Sequence, residues 1–330
     1  MKINVEKHAK KILITGGAGF IGYHLTEHLL KRYNVIVMDN LSTGTFDNIK
    51  DFLCLPNFKF FYGDITNYND CKKCCNGVDF VIHLAAMTSV PKSIKYPYIY
   101  NEINVKGTFN IMLASCESKV KRLIFSSSSS VYGDNSSPLK IEGEEGNVIS
   151  PYAMTKKINE QYGKLFSDIY NLETVGLRYF NVFGERQRIS GKYTAVIPKF
   201  IDDILKNKKS IIYGSGEQYR DFTYVKNIVS ACEMAINYEG EFKGEIFNIG
   251  LGVGTTINSI NKYIREKMDS AVKPEYEDCR KGDVFASVAD LHKSNKVLNY
   301  TPTFELYDSI DRTILWYKNN NLKLEDVYEN

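Results

Sequence analysis

The chain has 330 residues, 43% hydrophobic and 25% charged, proportions of a globular protein able to bury a substantial core in one large domain or two lobes. Lys and Arg number 42 against 39 Asp and Glu, and a net charge of +3 is too balanced for the electrostatic footprint of a nucleic-acid or membrane-surface binder. No run of about 18 apolar residues occurs, and Met1 to Lys7 lack the apolar stretch of a signal peptide, so a cytoplasmic protein is expected.

Lys11-Ile12-Leu13-Ile14-Thr15 predicts a short strand that runs straight into Gly16-Gly17-Ala18-Gly19-Phe20-Ile21-Gly22, after which Leu25, Leu29 and Leu30 continue at helical spacing. In that context the glycines let a backbone approach a pyrophosphate, and the helix N-terminus offers it free N–H donors. A glycine turn that merely closes the strand and helix is the bland alternative. The next strand, Val35 to Met38, ends at Asp39, where a carboxylate can accept hydrogen bonds from both ribose hydroxyls of an adenosine. Asp39 would repel a 2′-phosphate, and no Lys or Arg lies between Tyr33 and Ile49 to receive one, which favours NAD over NADP.

A third strand, Phe58 to Tyr62, leads to Gly63-Asp64-Ile65, where Asp64 either bonds an adenine amine or caps the helix that begins near Asn67. Cys71, Cys74 and Cys75 have the spacing of one buried helix face, and no second Cys or His pair completes a tetrahedral metal site. With seven cysteines in all, odd in number and sparse, a disulfide framework is not expected. The fourth strand, Phe80 to Leu84, carries His83 as a packed core residue and opens onto Ala85-Ala86, small enough to let a cofactor pass over the sheet. One continuous helix is predicted from about Tyr98 to Ser118.

The fifth strand, Arg122 to Phe125, runs into five consecutive serines, Ser126 to Ser130. Further on come Tyr152 and Lys156, four apart and therefore on one face of a helix. An ammonium beside a phenol stabilises phenolate and moves its pKa towards working pH, so these residues form a candidate Ser/Tyr/Lys proton-transfer site. Another strand spans Thr174 to Asn181. Beyond it helices at about Ala195 to Lys206, Val225 to Asn237, Ile257 to Lys267 and Leu306 to Lys318 alternate with short β runs such as Ile211 to Tyr213 and Ile246 to Asn248. The fold class is therefore α/β. A doubly wound, mostly parallel Rossmann-type sheet occupies residues 1–181, and a smaller C-terminal α/β substrate lobe occupies 182–330, with strands of the two interleaved.

These motifs, together with Leu177-Arg178-Tyr179-Phe180-Asn181-Val182-Phe183-Gly184 and Arg220-Asp221-Phe222, resemble the extended short-chain dehydrogenase/reductase family and, within it, the nucleotide-sugar 4-epimerases. The likeness spans about residues 10 to 320. It implies a transient redox cycle on tightly held NAD, in which Tyr152 takes the proton of the sugar 4-OH, Ser128 bonds the reacting oxygen and Lys156 holds the nicotinamide ribose. Cofactor contacts are implied for Gly16, Gly19, Phe20, Ile21, Gly22, Asp39, Asn40, Ser42, Thr43, Gly44, Asp64, Ile65, Leu84, Ala85, Ala86, Thr88, Asn104, Ser126, Tyr152, Lys156, Tyr179 and Phe180. The substrate side is implied for Ser128, Ser129, Tyr152, Asn181, Ala195, Val196, Lys199, Tyr213, Arg220, Arg280, Asp283 and Ser287. No metal is implied, and a homodimer through a four-helix bundle of helices 98–118 and 151–170 is the family expectation.

Substrate choice rests on Ser287, which stands where UDP-glucose-restricted members place a bulky Tyr; a small residue leaves room for an N-acetyl group. Thr88 and Thr194-Ala195 also depart from the UDP-galactose epimerase pattern, towards UDP-N-acetylglucosamine 4-epimerases. Ser129 and Ser130 stand where a 4,6-dehydratase needs an Asp-Glu pair. A UDP-glucuronate 4-epimerase and a non-catalytic NAD-binding regulator stay open as rivals.

Overall fold

The computed structural model describes residues 9–189, 195–279 and 284–320. Seven strands form one sheet in the spatial order Glu245–Ile249, Glu173–Tyr179, Arg122–Ser128, Phe80–His83, Lys11–Thr15, Asn34–Asp39, Phe58–Tyr62, with every neighbouring pair parallel. The chain starts at Lys11–Thr15, steps outward twice, then returns to pair Phe80–His83 on the other side of that first strand. This reversal opens a crevice above the strand ends, the place where such sheets hold ligands.

Side chains along each strand alternate between two cores. Ile12, Ile14, Ile82 and Ile124 join one cluster with helices Phe20–Leu29 and Val225–Asn237, while Leu13, Val81, Leu123 and Phe125 join another under helices Tyr68–Cys75, Gly107–Glu117 and Pro151–Tyr170. Cys71, Cys74 and Cys75 are buried in the second cluster, where burial raises their thiol pKa values. A third core gathers helices Val196–Leu205, Ile257–Lys267 and Leu306–Asn320. Beside it stands a four-stranded sheet in the order Gly254–Thr256, Tyr219–Asp221, Ala286–Ala289, Leu139–Lys140. Glu245–Ile249 in the main sheet and Leu139–Lys140 in the small one each cross the nominal boundary at residue 181. Among the described residues no helix is long and apolar enough to cross a membrane.

Two elements depart from expectation. The serine strand continues to Ser128 because Ser126, Ser127 and Ser128 pair with Leu177, Arg178 and Tyr179. The helix expected from 98 to 118 runs from Pro97 to Glu117 but is not α-helical throughout: a π-helical stretch, Asn101–Lys106, lies between Pro97–Tyr100 and Gly107–Glu117. Asn104, in that stretch, is wholly buried and carries the hydrogen bonds of a neighbouring loop, a use often associated with π-turns.

At the N-terminal end of the serine strand, Arg122 is fully buried. Its Nε donates to Glu173 Oε2 at 2.7 Å, its Nη1 to the Ala235 and Tyr238 carbonyls, its Nη2 to the Gly240 carbonyl, and Phe242 lies beneath the guanidinium at 4.6 Å. Arg122→Met removes one member of a buried pair and leaves these carbonyls without donors. It is expected to cost about 3–5 kcal/mol in chemical denaturation while sparing kcat of the folded fraction.

Candidate active site

The glycine turn is built by close backbone approach. Gly16 has φ +71°, and a Cβ there would lie 2.7 Å from the Ala85 nitrogen. A Cβ on Gly22 would lie 2.3 Å from the Gly16 carbonyl oxygen. Gly19 precedes helix Phe20–Leu29 with no side-chain cap, so the first-turn N–H groups are available to an anion. Asp39 ends its strand nearly buried, Oδ2 accepting from Ala18 N at 3.0 Å and Oδ1 from Leu41 N at 2.8 Å; burial still raises its pKa. Asn40 Oδ1 accepts from Ser42 N, and Gly44 packs against Ala18, so 40–44 form a compact loop beside Asp39.

Asp64 does not cap the following helix. Asn67 does, while Asp64 accepts from Thr66 N and Oγ1 and from Asn40 Nδ2. Burial acts against ionisation there, but these bonds outweigh it and lower the Asp64 pKa. The Ile65 carbonyl accepts from Asn110, which the sequence reading missed. Leu84 N donates to the Thr15 carbonyl and Ala85 N to Thr15 Oγ1, placing 84–86 over the glycine turn and leaving Thr88 exposed.

Three residues expected at the cofactor, Asn104, Tyr179 and Phe180, have side chains that the protein itself engages. Asn104 is engaged by the protein: Oδ1 accepts from Met87 N, and Nδ2 donates to the Met87 carbonyl and Thr155 Oγ1. It shapes loop 84–88 from behind. Tyr179 and Phe180 have their side chains buried, the first against Cys232 Sγ and the second against Tyr132. Basic groups distant in sequence also approach the 40–48 loop. Arg188 Nη1 donates to the Thr43 carbonyl, and Arg186 lies 3.9 Å over the Tyr23 ring and donates to Asn48 Oδ1.

Tyr152 sits in the first turn of helix Pro151–Tyr170, which Ser150 caps, and its own N–H donates to Ser93 Oγ at 3.1 Å. Its ring meets Tyr100 edge-on at 6.4 Å. Lys156 Nζ donates to the Ser126 carbonyl at 2.8 Å and stands 6.0 Å from the Tyr152 ring centroid. Ser128 lies beside the Tyr152 side chain, near enough to pull its pKa down, and caps the turn Ser129–Tyr132, its Oγ accepting from Ser130 N and Oγ. The structure thus joins Ser128, Tyr152 and Lys156 in one site.

Electrostatically the site differs from the expected lowered phenol. Burial raises Tyr152 to about 12, Ser128 pulling it down and Tyr100 adding to the rise, while burial lowers Lys156 to about 8 against the Glu160 carboxylate. Desolvation disfavours both charged forms, and here it outweighs the neighbouring ammonium. His83 is buried as expected, yet bridged: Nδ1 lies 2.6 Å from Thr15 Oγ1 and Nε2 3.0 Å from Thr108 Oγ1. Burial, helped by the Lys156 charge, lowers it to about 3 and keeps it neutral.

On the substrate side, Asn181, Ala195, Val196, Tyr213 and Arg220 line one cleft of about 270 Å³. Lys199 lies off it, paired with Asp203. Ser287 is buried and faces Arg220 across the strand pairing Tyr219–Asp221 with Ala286–Ala289, so it is no surface serine. Arg280, Asp283 and Thr194 lie outside the described residues. Asp221, quoted only as part of a motif, proves to be the hub beneath Arg220. Wholly buried, it accepts from Leu251 N, Gly252 N, Ala289 N and Thr223 Oγ1. The signal for it was a carboxylate inside an apolar Phe/Tyr run.

The crevice fits a dinucleotide on its own terms: a cradle that any Cβ would fill, an uncapped helix start and a strand-end carboxylate. The model of the NAD dependent epimerase/dehydratase family matches residues 12–250. The chain belongs to that family. NAD is its cofactor. Across 313 residues, 94% of this chain and 99% of the other, it is 38% identical to a putative UDP-glucose 4-epimerase of Methanocaldococcus jannaschii. It is 33% identical to a UDP-glucuronate 4-epimerase of Thermodesulfobacterium geofontis, with 93% of this chain and 96% of that protein covered. Among solved structures it resembles a UDP-N-acetylglucosamine 4-epimerase of Methanobrevibacter ruminantium, in complex with UDP-N-acetylmuramic acid, at TM-score 0.90 and 36% identity over 94% of this chain and 99% of that one.

Proposed function

We propose that the enzyme epimerises a UDP-hexose at C4, with UDP-N-acetylglucosamine and UDP-N-acetylgalactosamine as its principal pair and UDP-glucose as a further substrate. Tyr152 exchanges a proton with the sugar 4-OH, Ser128 bonds that oxygen, and Lys156 sets the charge around the phenol. Bound NAD supplies a reversible hydride acceptor at C4, so no external reductant is needed. The glycine turn, Asp39 and loop 84–88 hold it; Arg220 and Arg280 fork onto the diphosphate of the sugar nucleotide, Asn181 helps to hold the nucleotide, and Asp283 accepts from its ribose hydroxyls. Ser129 and Ser130 provide no carboxylate to remove water from the sugar, which sets dehydration aside.

The observation that carries the choice of sugar is the small Ser287 paired with Arg220. Ser287→Tyr is expected to lower turnover of the N-acetylated sugar roughly tenfold or more while sparing UDP-glucose. Equal loss of both in steady-state assays would reject the gate. The UDP-glucuronate 4-epimerase relative keeps the uronate as a second reading. UDP-N-acetylglucosamine, UDP-glucose and UDP-glucuronate assayed side by side decide it: turnover of the acid alone rejects the proposal, and NAD retention with no turnover of any favours the non-catalytic regulator.

A homodimer is proposed as well. Helices Gly107–Glu117 and Pro151–Tyr170 pack within the chain through Phe109, Tyr162 and Phe166, yet Tyr98, Met154, Leu165 and Ile169 remain exposed on this side. A second copy covering them makes the four-helix bundle, and light scattering at micromolar concentration tests it.

A further inference from the structure

Helix Pro151–Tyr170 places a third side chain on the face of Tyr152 and Lys156. Glu160 follows Lys156 by four residues, and all three are buried. Its carboxylate binds two strands at once. Oε1 accepts from Ser127 Oγ at 2.6 Å and from Arg178 Nε at 2.8 Å, and Oε2 accepts from Arg178 Nη2 at 2.8 Å. Arg178 also pairs with Glu145 at 2.6 Å and lies 4.8 Å over the Tyr132 ring. Lys157 reaches Glu145 at 3.0 Å and Glu160 at 4.0 Å. Ser127 in turn stands between Ser126, whose carbonyl receives the Lys156 ammonium, and Ser128, which lies beside Tyr152.

We propose that Glu160 is a positioning residue of the reaction: through Ser127 it fixes the two serines beside Lys156 and Tyr152, and it places a carboxylate one helical turn beyond the buried Lys156 ammonium. The proposal rests on the catalytic roles given above to Ser128, Tyr152 and Lys156. The groups facing Lys156 are Tyr152 and Glu160 on its own helix, and the Ser126 carbonyl and neutral His83 from the strands. Those facing Glu160 are Arg178 and Lys157, with Glu145 behind them. Glu160 is thus the carboxylate acting on the ammonium, opposing the burial that lowers it to about 8.

The molecule contains its own control. Arg122 and Glu173 make a comparable buried pair between the same two strands, but at their opposite end, away from Ser128. The Arg122–Glu173 pair thus joins the two strands directly at one end, while at the catalytic end Glu160 reaches both from its helix, pairing with Arg178 and accepting from Ser127.

Glu160→Gln keeps the shape of the carboxylate and removes its charge. In the NAD-loaded enzyme, kcat is expected to fall about tenfold or more with KM little changed. The limb of the kcat profile that Lys156 sets should move to lower pH, because an ammonium with no carboxylate on the next helical turn gives up its proton earlier. Glu160→Asp restores the charge and should return the limb towards its original place. NMR of labelled lysine should report the same shift of the Lys156 titration without relying on turnover. A Glu160→Gln enzyme that is less stable but keeps the native kcat, limb and Lys156 titration, as Arg122→Met is expected to, overturns the proposal. If Glu160→Gln does not fold, Ser127→Ala decides: reduced kcat with an unmoved limb supports the strand link, and native kcat overturns it. Failure of the parent enzyme to epimerise any UDP-sugar would instead reject the catalytic reading.

Discussion

Tyr152→Phe is expected to lower kcat by about a thousandfold, within the range ascribed to one general acid–base group, with fold and NAD content intact. The substitution removes one oxygen and little else. The ring keeps its edge contact with Tyr100, the backbone N–H keeps its bond to Ser93, and Ser150 still caps the helix. What disappears is the proposed acceptor for the sugar proton. In the parent enzyme the phenol is raised to about 12 and the ammonium lowered to about 8, so two opposed trends shape the pH dependence. Rising pH favours phenolate, and rising pH also strips the Lys156 proton near 8. Turnover should climb with pH up to about 8 and level off above it, where further gain of phenolate is offset by loss of the ammonium, whereas the residual rate of Tyr152→Phe should lose the rise. Steady-state rates across this range test it, and a Phe variant with native kcat would remove Tyr152 from proton transfer.

Gly22→Ala is expected to release NAD and destabilise the fold by about 1–3 kcal/mol, the usual cost of forcing atoms into a packed site. The new Cβ would meet the Gly16 carbonyl oxygen at 2.3 Å and the Gly17 Cα at 2.5 Å, so backbone would have to move. That backbone is the cradle of the cofactor. The control is Gly77→Ala, which meets nothing within 4 Å and carries only the strain of φ +70°, about 1–2 kcal/mol. It should lose some stability and keep its NAD. Cofactor released from denatured protein, measured beside thermal melting, separates the two; full NAD content in Gly22→Ala would mean that the turn does not hold the dinucleotide.

Much of this site is legible locally. The turn at Gly16–Gly22, the carboxylate at Asp39 and the spacing of Tyr152 and Lys156 follow from strand and helix periodicities, which need no knowledge of distant neighbours. Less legible was the use made of side chains. Asn104, Tyr179 and Phe180 carry polar or aromatic groups suited to a ligand, yet the protein engages them with Met87, Cys232 and Tyr132. Asp64 was left between two roles, and the structure gives the cap to Asn67. The lowered phenol expected from a nearby ammonium also failed, because desolvation depends on everything packed around a group.

The sequence by itself determined the parallel α/β architecture, the dinucleotide crevice and the Ser128, Tyr152 and Lys156 set, since each is written in contacts between residues near one another along the chain or in strand and helix order. Only the tertiary structure decided that Arg186 and Arg188 reach the loop after Asp39, that Asp221 anchors the strand of Arg220, and that Glu160 ties Ser127 to Arg178. Those pairings join residues that are far apart in the chain, and their charge states follow from burial that exists only once the strands and helices have closed on one another.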